Sequence, residues 1–101
     1  MEPRIPIDYD RLAEFCRRWG VAELSLFGSV LRADFDPEHS DVDVLVAFQP
    51  GREVGLIAFF QMEHELSQLF GRRVDLLTPG GLKPWVRQEI LGSARVVYAA
   101  A

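Results

Sequence analysis

Two aspartates, Asp41 and Asp43, stand at the start of an apolar run that continues to Phe48. Side chains alternate between the two faces of a strand, so these two carboxylates point to the same face. Two neighbouring carboxylates repel each other unless a cation lies between them. The pattern therefore predicts a cation site at the start of a strand, and the structural alternative is a pair of acids that only cap the strand.

A third acid, Asp75, lies in a second short apolar segment, Val74 to Leu77. If this segment lies beside the first strand, Asp75 joins Asp41 and Asp43 at one end of a sheet. Ligation by oxygen alone suits Mg²⁺ or Mn²⁺, and the sequence has no Cys/His cluster that would favour zinc. The three aspartates are therefore predicted to bind a divalent metal ion.

A Gly-Ser pair, Gly28 and Ser29, precedes these acids and is a candidate phosphate site. Glycine lets the backbone approach an anion closely, and Ser29 offers a hydroxyl and an N–H at the start of a short helix. Arg32, one turn later, can reach the same phosphates with its planar fork of donors. Magnesium commonly takes part of its ligand set from substrate phosphates, so the two predicted sites suit one phosphorylated substrate.

The segments around these motifs predict alternating helices and strands, grouped into a single domain over residues 1–101. Asp8 is predicted to cap the first helix, and Gly20 and Gly71 to end the first and second. The helices are predicted after Asp8, from Leu56 to Phe70 and from Pro84 to about Leu91. The strands are predicted from Val21 to Phe27, Asp41 to Phe48, Arg73 to Thr78 and Ala94 to Tyr98. The order α-β-β-α-β-α-β predicts an α/β (α+β) fold in which helices pack on one mixed sheet.

Composition narrows the classes of function. Of 101 residues, 49% are apolar and 26% charged, which is typical of a folded globular protein. The net charge of −4 disfavours strong direct binding to nucleic acid. The single cysteine, Cys16, excludes an intrachain disulfide and favours the reducing cytoplasm. No apolar run approaches the length of a membrane span, so no membrane partner is expected.

Structural alternatives remain for some of these residues. Asp75 could form an ion pair with Arg72 or Arg73, and Arg32 is equally suited to a surface ion pair. The acidic loop from Asp34 to Glu38 is expected to be solvated, where it would repel a nucleic-acid acceptor.

The motifs together resemble those of the polymerase-beta-like nucleotidyltransferases, and the chain length resembles that of their minimal members. In chain order, the motif residues are Gly28, Ser29, Arg32, Ser40, Asp41, Asp43 and Asp75. The resemblance covers nearly the whole chain. One position departs from it, since Ala33 stands where many relatives have glycine after the arginine.

The resemblance implies roles for these residues. Asp41 and Asp43 would bind two metal ions, and Asp75 would bind the catalytic one and help to activate the attacking hydroxyl. The implied nucleotide-binding residues are Gly28, Ser29, Arg32 and Ser40.

The resemblance also implies an activity and a partner. The expected reaction is Mg²⁺-dependent transfer of AMP from ATP to a macromolecular hydroxyl. Larger relatives carry a further domain for the acceptor, so here the acceptor is expected on another protein. Minimal members are commonly paired with a helical HEPN ribonuclease toxin and modify its tyrosine, which predicts an antitoxin in a hetero-oligomer. Trp85 is expected to be exposed enough to contact such a partner.

Two alternatives to this function remain. One is a binding-only antitoxin that blocks the toxin sterically. The weaker one is a small-molecule transferase of the aminoglycoside type.

Overall fold

The computed structural model describes residues 5–32, 35, 36 and 38–100, and its element order confirms the predicted alternation. The helices are α1 (Tyr9–Trp19), α2 (Leu56–Phe70) and α3 (Pro84–Ser93). The strands are β1 (Val21–Phe27), β2 (Val42–Phe48), β3 (Val74–Leu77) and β4 (Arg95–Ala99). Short 3₁₀ turns occupy Gly28–Leu31 and Pro79–Gly81. The limits differ from the prediction only at element ends; for example, β2 begins at Val42 and α3 continues past Leu91.

Local signals in the sequence set the helix limits. The Asp8 carboxylate accepts a hydrogen bond from the Arg11 N–H at 3.2 Å, which makes it the N-cap of α1. Helix α2 ends at Gly71, which has a φ of 69° and donates its N–H to the Gln68 carbonyl at 3.2 Å.

The sheet has the strand order β3-β2-β1-β4. Strand β1 is antiparallel to both β2 and β4, whereas β2 and β3 are parallel. The sheet is therefore mixed, as predicted, and the strand that carries Asp75 does lie beside the strand that carries Asp43.

A hydrophobic core fixes the helices on the sheet. From α1, Leu12 and Phe15 are buried, and from α2, Met62 and Leu66 are buried against the inner strands. Among the residues that the structure describes, no helix is both long enough and apolar enough to cross a membrane. This packing gives β1 and β2 a rigid frame, and the predicted site lies where these strands meet the Gly28–Leu31 turn.

Candidate active site

Strand register brings the predicted site residues to one end of the sheet. Asp43 on β2 lies opposite Phe27 on β1 and opposite Asp75 on β3. Because Gly28 follows Phe27 directly, the Gly-Ser turn begins beside Asp43. Asp41 precedes Asp43 by two positions, on the same face of the chain. The predicted pairing of the strand that carries Asp75 with the strand that carries Asp43 is therefore present in the fold.

Gly28 and Asp43 approach each other closely. Gly28 has a φ of +75°, a conformation that side-chain-bearing residues rarely adopt. A Cβ atom on this residue would lie 2.6 Å from the Asp43 Oδ2 atom. The sequence predicted glycine here for the approach of phosphate, and the structure adds a second reason, the space that the Asp43 carboxylate needs.

Asp43 lies in a region of concentrated negative charge. Burial raises the pKa of the Asp43 carboxyl above its usual value, and the nearby Asp75 and Asp41 carboxylates raise it further. The Arg32 guanidinium opposes these effects and lowers the pKa. Arg32 is thus close enough to act on Asp43, but acidic groups dominate, so a bound cation would stabilise the ionised carboxylate.

Asp41 has a basic neighbour in this conformation. The Arg73 Nε atom lies 3.7 Å from the Asp41 Oδ2 atom, and because the Arg73 side chain is largely exposed and the Asp41 side chain is partly exposed, the pair contributes little to stability. The sequence had suggested Arg73 as a structural partner of Asp75, and the ion pair instead joins it to Asp41. Within residues 5–32, 35, 36 and 38–100, no three acidic, histidine or cysteine side chains are close enough to hold a metal ion. The three-aspartate metal site therefore stays a prediction.

Ser40 lies in the loop that leads into β2. Its hydroxyl accepts the Asp36 N–H at 3.3 Å, and its own N–H donates to the Asp36 carbonyl at 2.8 Å. Asp36 also binds the Glu38 N–H at 2.9 Å and His39 Nδ1 at 2.8 Å. Ser40 thus orders the loop next to Asp41. Asp36 and Glu38 are exposed, as predicted for the acidic loop, while Asp34 and Ala33 lie outside the described residues.

The predicted phosphate-binding residues lie beside an open cavity. Ser29 sits in the 3₁₀ turn, where its carbonyl accepts the Arg32 N–H at 2.9 Å. A cavity of about 230 Å³ is lined by Gly28, Leu31, Arg32 and Ser93. No sequence pattern pointed to Ser93, because the end of α3 reaches this place through the pairing of β4 with β1.

The comparison with known families decides the class of this protein. The model of the nucleotidyltransferase domain matches residues 10–97, a segment that contains every predicted site residue. The chain belongs to the nucleotidyltransferase domain family. This nucleotidyltransferase is therefore a member of an enzyme family, as the motif predicted.

Individual relatives narrow the family. The nucleotidyltransferase is 40% identical over 86 residues to protein adenylyltransferase MntA of Thermococcus cleftensis, covering 84% of this chain and 81% of the relative. It is 36% identical to the solved structure of a proposed minimal nucleotidyltransferase, with a TM-score of 0.70 and 85% of each chain covered. These matches confirm the minimal nucleotidyltransferase that the motif predicted.

A more distant solved structure shares the fold. It is a chain from the Shewanella oneidensis complex of a tri-AMPylated HEPN toxin with an MNT antitoxin. The match has a TM-score of 0.65 at 17% identity and covers 91% of this chain and 70% of that chain.

Proposed function

We propose that this nucleotidyltransferase transfers AMP from ATP to a tyrosine hydroxyl of a helical HEPN toxin and thereby acts as its antitoxin. The observation that carries the proposal is the register of the sheet, which sets Asp43 opposite Asp75 and next to Gly28. The similarity to a protein adenylyltransferase supports a protein as the acceptor.

Asp41, Asp43 and Asp75 are the residues that would hold Mg²⁺, or alternatively Mn²⁺. The donor set fits these ions, because it consists of carboxylate oxygens and because negative charge around Asp43 exceeds positive charge. When bound, such ions stabilise the negative charge that develops on the attacking and leaving oxygens.

The residues of the chain itself position the reactants. The backbone at Gly28 and Ser29 would bind the terminal phosphates of ATP, with Arg32 as a further donor and Ser40 holding the loop that leads to Asp41. Asp75 would accept the proton of the attacking hydroxyl. The new oxygen–phosphorus bond forms at the α-phosphorus while the bond to the β-phosphate breaks, and pyrophosphate leaves. Holding both reactants in line supplies a large share of the rate enhancement.

The surface supports a protein partner. Large apolar side chains are exposed on two helices: Leu56 is 70%, Ile57 77%, Phe60 58% and Trp85 67% accessible. The predicted exposure of Trp85 is thereby confirmed. Ile57 and Phe60 line the same surface cavity. A contiguous exposed apolar patch favours association with another protein, whereas the net charge of −4 does not favour nucleic acid. With ATP as donor and a free buried thiol at Cys16, the cytoplasm is the proposed compartment.

Co-incubation with a helical HEPN protein from the same genome tests the proposal, and a gene for such a protein beside the gene for this chain would identify the first candidate. With ATP and Mg²⁺, the intact mass of the partner should rise by one or more AMP units at a tyrosine, and its RNA cleavage should stop. The Asp41→Asn, Asp43→Asn double variant should do neither. An unmodified but silenced partner, with wild type and double variant equally effective, would instead show a binding-only antitoxin. AMP found on an aminoglycoside and not on the partner would show a small-molecule transferase.

A further inference from the structure

Strand β3 carries Asp75 on an edge of the sheet, and among the described residues β2 is the one strand that pairs with it. Its other edge faces α2, and two side chains of that helix occupy it. The Glu63 Oε2 atom accepts the N–H of Leu76 at 2.8 Å, and the Ser67 Oγ atom accepts the N–H of Val74 at 3.1 Å. Asp75 thus lies between two residues whose backbone N–H groups donate to side chains of α2.

The two side chains form one unit. Glu63 and Ser67 are four residues apart, so they lie on the same face of α2. The Ser67 hydroxyl donates to the Glu63 carbonyl at 2.9 Å, which leaves its oxygen free to accept from Val74. Both side chains are partly buried between helix and strand. These hydrogen bonds fix the position and orientation of β3 relative to α2 and the core.

We propose that Glu63 and Ser67 are positioning residues for Asp75. They replace the missing neighbouring strand with side-chain acceptors and so hold Asp75 in register with Asp43. The proposal rests on the proposed function for its catalytic consequence, but the bonds it invokes exist without substrate. Loss of a residue that orients a metal ligand without touching the metal typically lowers metal affinity or activity by about 10- to 100-fold.

Three substitutions of Glu63 separate the effect of its side-chain length from the effect of its charge: Glu63→Ala, Glu63→Gln and Glu63→Asp. Glu63→Gln keeps an oxygen acceptor on a side chain of the same length, so its kcat should stay near the wild-type value. Glu63→Asp keeps the charge but shortens the side chain, so it should lose kcat as Glu63→Ala does, by about 10- to 100-fold. The KM for ATP should stay close to the wild-type value in all three, because the predicted phosphate site lies on the other side of β2.

Glu65→Ala is the matched control. Glu65 lies on the same helix but accepts from Arg18 at 3.0 Å and from Trp19 Nε1 at 2.9 Å, on the side of α1. Its loss should lower the melting temperature without changing kcat. If the Glu63 and Glu65 variants lost kcat equally, general destabilisation would explain the loss at Glu63, and the proposal would be overturned.

Amide hydrogen exchange in the substrate-free protein gives a readout that does not depend on transfer. The Leu76 amide should exchange faster in Glu63→Ala and Glu63→Asp and at the wild-type rate in Glu63→Gln. Unchanged exchange at Leu76 would overturn the proposal even if activity fell. If the wild type transfers no AMP, the proposed function fails, and the exchange rates still decide whether Glu63 holds β3. If Glu63→Ala does not fold, the Gln and Asp variants carry the test.

Discussion

Replacing Gly28 with alanine tests the close approach at the centre of the candidate site. A residue with a Cβ atom in the left-handed region costs roughly 1–2 kcal/mol, which lowers the melting temperature of a domain of this size by about 4–16 °C. The new methyl would also lie 2.6 Å from the Asp43 Oδ2 atom, well inside ordinary contact distance. The carboxylate therefore has to retreat by about 1 Å, and a displacement of that size can lower a rate by about 100-fold.

Gly71→Ala is the matched control for this prediction. Gly71 has a φ of +69°, close to that of Gly28, but no atom of the described residues lies within 4 Å of the Cβ that alanine would add. Both variants should lose similar stability in thermal melts, and only Gly28→Ala should lose AMP transfer to the partner when folded protein is compared with folded protein. Equal transfer by the two variants would show that the position of Asp43 beside Gly28 does not matter for the reaction.

Three further predictions follow from the same site and core. ATP should bind about 10-fold or more tightly with Mg²⁺ than without it, a difference of about 1.4 kcal/mol, and Asp43→Asn should abolish that difference in calorimetry; equal affinities in the wild type would contradict a metal role. Asp75→Asn should lower transfer by about 10²- to 10⁴-fold, the usual contribution of a general base, while ATP binding measured by calorimetry persists; transfer at the wild-type rate would exclude that role. Burial raises the pKa of Cys16 to about 12, against an ordinary value of 9.0, with Arg17 slightly opposing. Since the folded state holds this proton more tightly, folding stability should fall as pH rises above about 9, and iodoacetamide at pH 8 should label the native thiol about 10³-fold more slowly than the unfolded one. Equal labelling rates would contradict the burial.

The elements were predictable, and most of the candidate site residues could be proposed, because their signals are local. The Asp8 cap and Gly71 mark helix ends within one turn, and alternation marks the strands. The motif from Gly28 to Asp43 is contiguous enough to be recognised as a nucleotidyltransferase pattern. These signals depend on neighbouring residues alone, whereas the place of Asp75 depends on the pairing of β3 with β2, which the fold supplies.

The contacts between distant segments were not predictable in this way. The sequence allowed Arg72 or Arg73 as a partner of Asp75, whereas in the fold the Arg73 Nε atom lies 3.7 Å from the Asp41 Oδ2 atom. The hydrogen bonds from β3 to Glu63 and Ser67 join an edge strand to a helix, and neither segment has a sequence pattern that predicts them. Such contacts depend on how α2 packs on the core, and a single sequence does not reveal that packing.

The place of β4 in the sheet has a consequence for synthesis of the chain on the ribosome. The β1 segment emerges from the ribosome early, but the partner on its outer side is β4, at residues Arg95–Ala99. Until that segment emerges, β1 presents an unpaired edge of the kind that recruits other chains. A product terminated before Arg95 would retain every predicted site residue and still carry this open edge. We expect such a product to aggregate, and size-exclusion chromatography of a chain truncated before Arg95 would show this.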